Sequence, residues 1–437
     1  MMLTKIVDRL NRRGNLAGWT VRHVQTRGAQ IYAVPQGIEA QRDVDGERYL
    51  IDVLRNNTAA DGSPGVGSGD VSLLPGDDIE QAIDQATLVA GLVVNPVHGQ
   101  PGPAPLPDVP LSDSDLRKDV SAVTLDMMER MRAAAAKHSS VRLTAAECFG
   151  EIQHTHLVNS LGIDAEQQST QVDLEFVLIG RVGEREAETF TAIRRRRASD
   201  MDVEAVIQER AQHTIDTLKT RKSVTWQGPV VLRNEALTTF LAGDNLNGSV
   251  IQTLASAASK YAGISPWELG KPVFRGEVPG DPLTVWANRC LPYGAGSNRF
   301  DAEGLGAQRV QIIQENMLTA FTASQRYADY LEIPATGAFG NIELPSGKTS
   351  AADLLAEPYV EIVQFSWFNP DPITGDFATE IRFGYMVENG VRKPFKGGQL
   401  VGNYMDALAN VNWSEETGFF GGYQGPTTAR FNELRIA

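Results

Sequence analysis

Four segments near the middle of the chain, residues 141–148, 151–159, 171–181 and 186–195, alternate apolar and polar side chains. A period of two sends one face of each segment inward and the other to water, which is the mark of half-buried strands in one sheet. Residues 18–25, 29–34 and 47–54 are short, rich in β-branched and aromatic residues, and bounded by Gly, Asp and Asn, so they add strands of the same kind. Residues 202–219 carry helical spacing, and residues 113–138 hold the longest helical pattern, with a core stripe that includes Met127, Met128 and Met131. The first half is therefore expected to lay helices on a mostly antiparallel sheet, an α+β arrangement.

Other segments fill in the outline. Leu3, Ile6, Val7 and Leu10 fall at i, i+3, i+4 and i+7, an amphipathic helix that Gly14 ends. Residues 56–77 contain Gly62, Gly65, Gly67 and Gly69 among Ser, Asp and Pro, which reads as a mobile loop. Residues 79–92 open on carboxylates and continue as a helix. Residues 95–110 hold six prolines and two glycines, a stiff surface connection. Composition shifts near residue 222 toward Gly, Pro and aromatic residues, with helices expected at 249–262, 312–327, 350–356 and 402–410 and strands between them. Two domains are expected, 1–222 and 223–437, the second rich in β-structure.

Charge and motifs narrow the function. A net charge of −14 argues against a nucleic-acid partner, which needs clustered cations. No apolar run reaches the ~18 residues of a membrane span, and charges through the N-terminus exclude a secretory signal, so a soluble cytoplasmic protein is expected. Two cysteines, Cys148 and Cys290, cannot make a disulfide framework, and neither has a helper residue beside it. None of the six histidines is followed by Glu, so the zinc-protease helix is missing. His154 and His156 share one strand face, but no third His or Cys lies near, and half-buried sheet histidines are the ordinary reading. Neither Gly-x-Ser-x-Gly nor Gly-x-Gly-x-x-Gly occurs. Ser346-Gly347-Lys348-Thr349 looks like the tail of a phosphate loop, yet Ile342 stands where its first Gly belongs, and Ser350 with Asp353 explains the stretch as a helix cap. Arg194 to Arg197 are read as a solvated strand end, offset by Asp200, Asp202 and Glu204. The stretch from Tyr293 to Gly304 joins glycines to polar side chains, and is read either as a peptide-holding loop or as a solvated connection.

The C-terminal 80 or so residues carry a more specific pattern. Asp371-Pro372-Ile373-Thr374-Gly375-Asp376-Phe377 precedes Gly384-Tyr385-Met386-Val387-Glu388-Asn389-Gly390, and Pro394, Gly397 and Leu400-Val401-Gly402-Asn403 follow. These are a turn, a strand, an Asn-Gly hairpin, a second strand and a helix start. In order and spacing they closely resemble the C-terminal signature of the TldD/PmbA (TldD/TldE) family. Phe300-Asp301-Ala302-Glu303-Gly304, Asn159-Ser160-Leu161-Gly162 and Val230-Val231-Leu232 resemble further family elements. The resemblance covers about residues 140–437, and rests before that on the order of elements.

That resemblance implies a two-domain fold and a two-chain peptidase in which the TldD-type subunit binds zinc through a His-Glu-x-x-x-His helix and a late Cys. Here the segment where that helix belongs reads Leu237-Thr238-Thr239-Phe240-Leu241-Ala242-Gly243-Asp244-Asn245, and residues 415–425 contain no Cys. The expected protein is thus a PmbA/TldE-type subunit with no catalytic residue, metal or cofactor of its own. It would form a heterodimer with a TldD-type zinc subunit and bind an extended peptide or a small amide. Substrate contacts are expected from Asp244, Asn245, Asn247, Tyr293, Asn298, Arg299, Asp301 and Glu303. Two rivals stand beside it: an independent amidase or peptidase that uses Cys290 or loop 293–304, and a non-catalytic peptide-binding scaffold.

Overall fold

The computed structural model describes residues 2–220, 223–243 and 249–437. Helix α1 (Met2–Asn11) leads into β1 (Gly18–Val34), β2 (Gly37–Thr58) and β3 (Pro64–Leu73), followed by α2 (Ile79–Leu92), α3 (Ser114–Lys118) and α4 (Val120–Ala136). Then come β4 (Val141–Asn159), β5 (Asp164–Val182), β6 (Arg185–Arg195) and α5 (Val203–Leu218). The six strands form one antiparallel sheet in the order β3-β2-β1-β4-β5-β6. One part of its apolar surface is covered by α4 and α5 over Phe176, Leu174 and Cys148, and another by α1 and α2 over Val21, Ile51 and Val53. Asp78, Asp119 and Asp202 each accept a backbone N–H at the start of α2, α4 and α5, satisfying donors that a helix end leaves free.

Three expectations for this half change. The apparent breaks at residues 26–28 and 149–150 are not breaks, and β1 and β4 run straight through them. Gly28 lies against Gly150, whose carbonyl would meet a Gly28 Cβ at 2.5 Å, so glycine here serves close strand approach. The loop predicted at 56–77 is mostly strand, because β2 extends to Thr58 and β3 occupies 64–73. A Cβ on Gly67 or Gly69 would stand 1.8 Å from Ala90 O or 2.1 Å from Ala86 O. These glycines let α2 pack directly on the strand, and they are not a flexible tether.

The second half begins with β7 (Trp226–Arg233) and α6 (Asn234–Ala242), then α7 (Val250–Leu254), α8 (Ala257–Tyr261), β8 (Val285–Asn288), β9 (Arg309–Gln314), β10 (Met317–Leu318) and α9 (Gln325–Leu331). It continues through β11 (Asn341–Glu343), α10 (Ala351–Leu354), β12 (Tyr359–Phe365), β13 (Asp376–Glu388), β14 (Val391–Phe395) and β15 (Gln399–Asn403). It ends with α11 (Tyr404–Ala409), β16 (Val411–Trp413), β17 (Thr417–Phe419), β18 (Tyr423–Pro426) and β19 (Thr428–Ile436). One sheet runs β10-β9-β8-β11-β18-β17. The other runs β12-β7-β19-β15-β13-β14, and because β12 also pairs with β13 its ladder closes on itself. Closure leaves few open edges around the large core that both sheets share.

The C-terminal signature is a set of local locks. Asp371 accepts from Ile373 N and Thr374 N, while Asn403 donates to Thr374 O at 2.7 Å and caps α11 by accepting from Met405 N. Asn389 and Gly390, with φ of 53° and 73°, turn β13 into β14 as the Asn-Gly pair predicts. The helix expected at 312–327 is absent. Glu315 and Asn316 adopt positive φ and turn β9 back on β10, and only α9 at the far end is helical.

His213 on α5 supplies a pH-dependent term. Its side chain is largely buried, Arg210 Nη1 lies 3.4 Å from its ring, and its ring packs 5.4 Å from Phe383. Burial, reinforced by the charges of Arg210 and Arg392 and opposed by Asp216, pushes its pKa down to about 4. The unfolded chain binds that proton near pH 6.5, so this stabilisation is present above pH 6.5 and is lost as pH falls toward 4. The loss should reach about 3 kcal/mol at most, and His213→Phe should flatten the stability profile across that window. Urea titrations at several pH values test this; an unchanged slope in the variant would count against it.

Candidate functional site

The two sequence windows in which the zinc ligands are missing meet in space through their described parts, 237–243 and 415–425. Strand β7 passes straight into α6, where Asn234 adopts a φ of 47° and donates its N–H to Thr427 O. Ala236, Leu237, Phe240 and Leu241 form the core face of α6, so Glu235, Thr238 and Thr239 turn outward. Opposite them lie Phe420, Gly421 and Gly422, carried on the turn between β17 and β18. The third wall is the end of edge strand β6, Ala192 to Arg195, from the other half of the molecule. The cleft so formed has a volume of about 310 Å³. A second cleft of about 400 Å³ shares Ile193, Arg195, Glu235 and Phe420 with it and continues between α5 and β12.

The electrostatics of these clefts come from the arginine run, whose reading as a solvated end holds for Arg194 and for Arg197, paired with Asp200 as expected, and is corrected at Arg196. Arg194 pairs with Asp173 at 2.6 Å, and Arg197 pairs with Asp200 while stacking over the Tyr293 ring at 3.9 Å. Arg196 donates to the carbonyls of Gly294, Ala295 and Ser297 at 2.8–3.0 Å, and burial lowers its pKa to about 10. It is a clasp between the two halves. Arg195 lies between Glu235 and Gly421, and burial depresses its pKa against the opposing charges of Glu235 and Asp200. Glu235 itself is paired with Arg210, a nearly buried residue. This donor set does not fit a zinc ion: it offers one carboxylate already in an ion pair, two hydroxyls and a neighbouring guanidinium. Among the described residues no group of three or more His, Cys, Asp or Glu is arranged to hold a metal ion. His154 and His156 face Glu166 and Asp164, with His156 Nε2 at 2.6 Å from Asp164.

The predicted substrate residues go to several places. Asp244, Asn245 and Asn247 lie outside the described residues. Tyr293 is held under Arg197, with its N–H on Pro110 O. Asn298 accepts from Arg289, and Arg299 donates to Pro107 O and Glu166 O in the first half. Asp301 closes an Asx turn on Glu303 N and Leu305 N and faces Arg289 at 3.4 Å. The polar atoms of Arg299 and Asp301 are thus engaged within the chain, and the loop works as a joint between the halves. Glu303 accepts from Gln325 N and lines a separate 230 Å³ cleft with Arg22, Asp52 and His98. Cys290 is half-buried, and burial raises its pKa, which opposes a nucleophilic thiolate. Sequence reading missed Arg195, Glu235, Thr239 and Phe420. The resemblance marked two of their windows, but which side chains face the cleft depends on the rotation of α6.

Comparison with known proteins supports the family resemblance and the fold. The family model for the PmbA/TldA metallopeptidase C-terminal domain matches residues 225–437, and that for the central domain matches residues 111–218. An uncharacterised protein of Methanocaldococcus jannaschii is 25% identical over 294 residues, 64% of this chain and 66% of that protein. Metalloprotease PmbA of Escherichia coli O157:H7 is 28% identical over 210 residues, 46% of this chain and 44% of its own length. The chain therefore spans less than two thirds of these curated relatives. Among solved structures, TldE from Thermococcus kodakarensis superposes with a TM-score of 0.80 at 17% identity, covering 99% of this chain and all of that one. A Thermotoga maritima chain described as a candidate DNA-gyrase modulator gives a TM-score of 0.82 at 19% identity, with 100% of both chains covered.

Proposed function

Because the chain belongs to the PmbA/TldD metallopeptidase family, we propose that it is the zinc-free, PmbA/TldE-type subunit of a two-chain metallopeptidase or amidase. The observation that carries this reading is the junction of α6 with the Phe420–Gly422 turn. The helix and the turn face each other across a cleft, yet the facing residues are Glu235, Thr238, Thr239 and glycine, with Arg195 beside them. A catalytic zinc needs about three protein ligands, and none of these side chains is a His or Cys. In this reading a TldD-type partner supplies the zinc and its activated water. This chain contributes walls that hold an extended peptide or a small amide. The complex works in the cytoplasm, and among the described residues no helix is long and apolar enough to cross a membrane.

The rival reading as an independent Cys290 amidase gains no support from a thiol whose pKa is raised. The test is to purify the full chain alone and together with a TldD-type subunit, and to measure co-elution, zinc content and cleavage of unfolded peptides. The pair should co-elute and cleave in a chelator-sensitive way, and the single chain should do neither. Stoichiometric zinc with robust cleavage by the isolated chain would overturn the proposal, as would failure of the two chains to associate.

A further inference from the structure

We propose that Arg195 is a carboxylate-recognition residue, and that the cleft between β6, α6 and the Phe420–Gly422 turn selects ligands bearing a free carboxylate. This rests on the peptide-holding reading above and names the chemistry that the cleft accepts.

The case starts from the cost of placing a guanidinium there. Arg195 ends edge strand β6, faces both the 310 Å³ and the 400 Å³ clefts, and is half-buried. Cations so placed are normally paired. Arg194 and Arg197 follow that rule, on Asp173 and Asp200, and Arg196 is satisfied by three backbone carbonyls instead. Among the described residues Arg195 has no carboxylate within ion-pair distance, and the only hydrogen bond of its side chain is from Nη1 to the Arg194 carbonyl at 2.8 Å. The acid best placed to neutralise it, Glu235, is tied to Arg210. Arg210 is 5% exposed and keeps its own Nε without a partner. In the 310 Å³ cleft Arg194 and Arg195 therefore face one carboxylate, Glu235, which is already tied to buried Arg210, whereas the adjoining 400 Å³ cleft also carries Asp200, Asp202, Glu209 and Glu361. The local excess of positive charge in the 310 Å³ cleft favours an incoming anion.

The shape around Arg195 suits a carboxylate. The guanidinium offers a planar fork of donors that matches the two oxygens of a carboxylate. Gly421 packs against it: a Cβ there would lie 3.2 Å from Arg195 Nη1, and the φ of +66° also favours glycine. A side chain at 421 would press on the guanidinium and narrow the cleft. Thr239 brings a hydroxyl, and Phe420 and Ala242 bring apolar surface for the carbon skeleton that carries the anion. A volume of about 310 Å³ is at the small end of ordinary ligand sites, enough for one or two terminal residues of a peptide.

A peptide presents this group from two sources, its C-terminus or an acidic side chain. The experiment separates them by fluorescence anisotropy on the full chain. Three N-terminally labelled pentapeptides are used: one with neutral side chains and a free C-terminal carboxylate, its C-terminal amide, and the amide with one internal Glu. The free acid should bind the wild-type chain roughly ten-fold or more tightly than the plain amide, and rising salt should erode the difference. Arg195→Gln should abolish the preference, and Arg195→Lys should retain only part of it, since it keeps charge but loses the fork. Recovery of affinity by the Glu-containing amide assigns the site to acidic side chains, and no recovery assigns it to the terminus. Equal binding of acid and amide by the wild type overturns carboxylate recognition while leaving the peptide-holding reading intact. A preference unchanged in the folded Gln or Lys variant overturns the role of Arg195. Absence of binding by all three peptides overturns the peptide-holding reading together with this one. Association with a zinc subunit is read separately by co-elution.

Discussion

Phe240→Ala should lower the unfolding free energy of the C-terminal half by about 3–5 kcal/mol, the range for deleting a buried aromatic side chain. Phe240 has no exposed surface, and its ring centroid lies 4.6 Å from that of Tyr404, 4.9 Å from Phe431 and 5.1 Å from Phe368. Phe377 meets it edge-on at 6.3 Å. These rings come from β19, α11, β13 and the segment after β12, so one side chain ties α6 to most of the closed sheet. Truncation leaves a void that so many ring systems cannot all move to fill, and aromatic pairing is lost as well. Phe240→Leu should cost less, because most of the volume stays. Guanidinium titrations followed by tryptophan fluorescence test this; a loss below about 1 kcal/mol in the alanine variant would contradict it. Because α6 also carries Glu235 and Thr239, the alanine variant should lose ligand binding under conditions where it is still folded.

Arg289→Ala is the second large effect, again about 3–5 kcal/mol, because it breaks a buried ion pair from one side. Arg289 is 1% exposed. It donates to Asn298 Oδ1 and to the carbonyls of Leu305, Gly306 and Thr336, and its Nη1 lies 3.4 Å from Asp301. Removing it leaves Asp301, itself only 12% exposed in its side chain, without its counter-ion, and leaves three carbonyls short of a donor. Room for the guanidinium is provided by glycine, since a Cβ on Gly337 would stand 2.3 Å from Nη2. Arg289→Lys should recover only a small part, because one ammonium cannot reach acceptors spread across a planar fork. The effect should extend beyond stability. The loop that Arg289 anchors also reaches the first half, through Arg299 to Pro107 O and Glu166 O and through Phe300 packed with Leu157, Ile163 and Ala165. Limited proteolysis should therefore cut the variant between residues 298 and 306 while the wild type resists. Equal resistance would show that the joint does not depend on Arg289.

These residues mark where sequence reading succeeds and where it stops. The alternation in β4, β5 and β6 was legible, because a strand's inward and outward faces are set by its own period. So were the helix cap at Ser350 and the Asn389-Gly390 hairpin, which depend on neighbours a few residues away. The glycines of β3 were misread as flexible because their partner, the backbone of α2, is absent from any local window. The 312–327 segment was misread because the apolar residues of β9 and α9 happen to continue one helical pattern across the turn at Glu315 and Asn316. Loop 293–304 also serves as a joint, through Arg196 and Gln167 from the first half and Arg289 just before the loop, and those contacts could not be read from its own composition.

The feature that began the reading, a sheet of alternating strands, was determined by the sequence alone, and so was the absence of a His-Glu-x-x-x-His helix with a late Cys. Both are properties of residue order. Tertiary structure alone decided that α6, the Phe420–Gly422 turn and the end of β6 enclose one cleft, and that Arg195 stands in it without a carboxylate partner among the described residues. An arginine's electrostatic role depends on what surrounds its guanidinium and how much water remains there. In the run from Arg194 to Arg197 the same side chain, repeated four times, became a surface ion pair, an anion site, a clasp between domains and a stacked ion pair, because each position faces a different part of the folded chain.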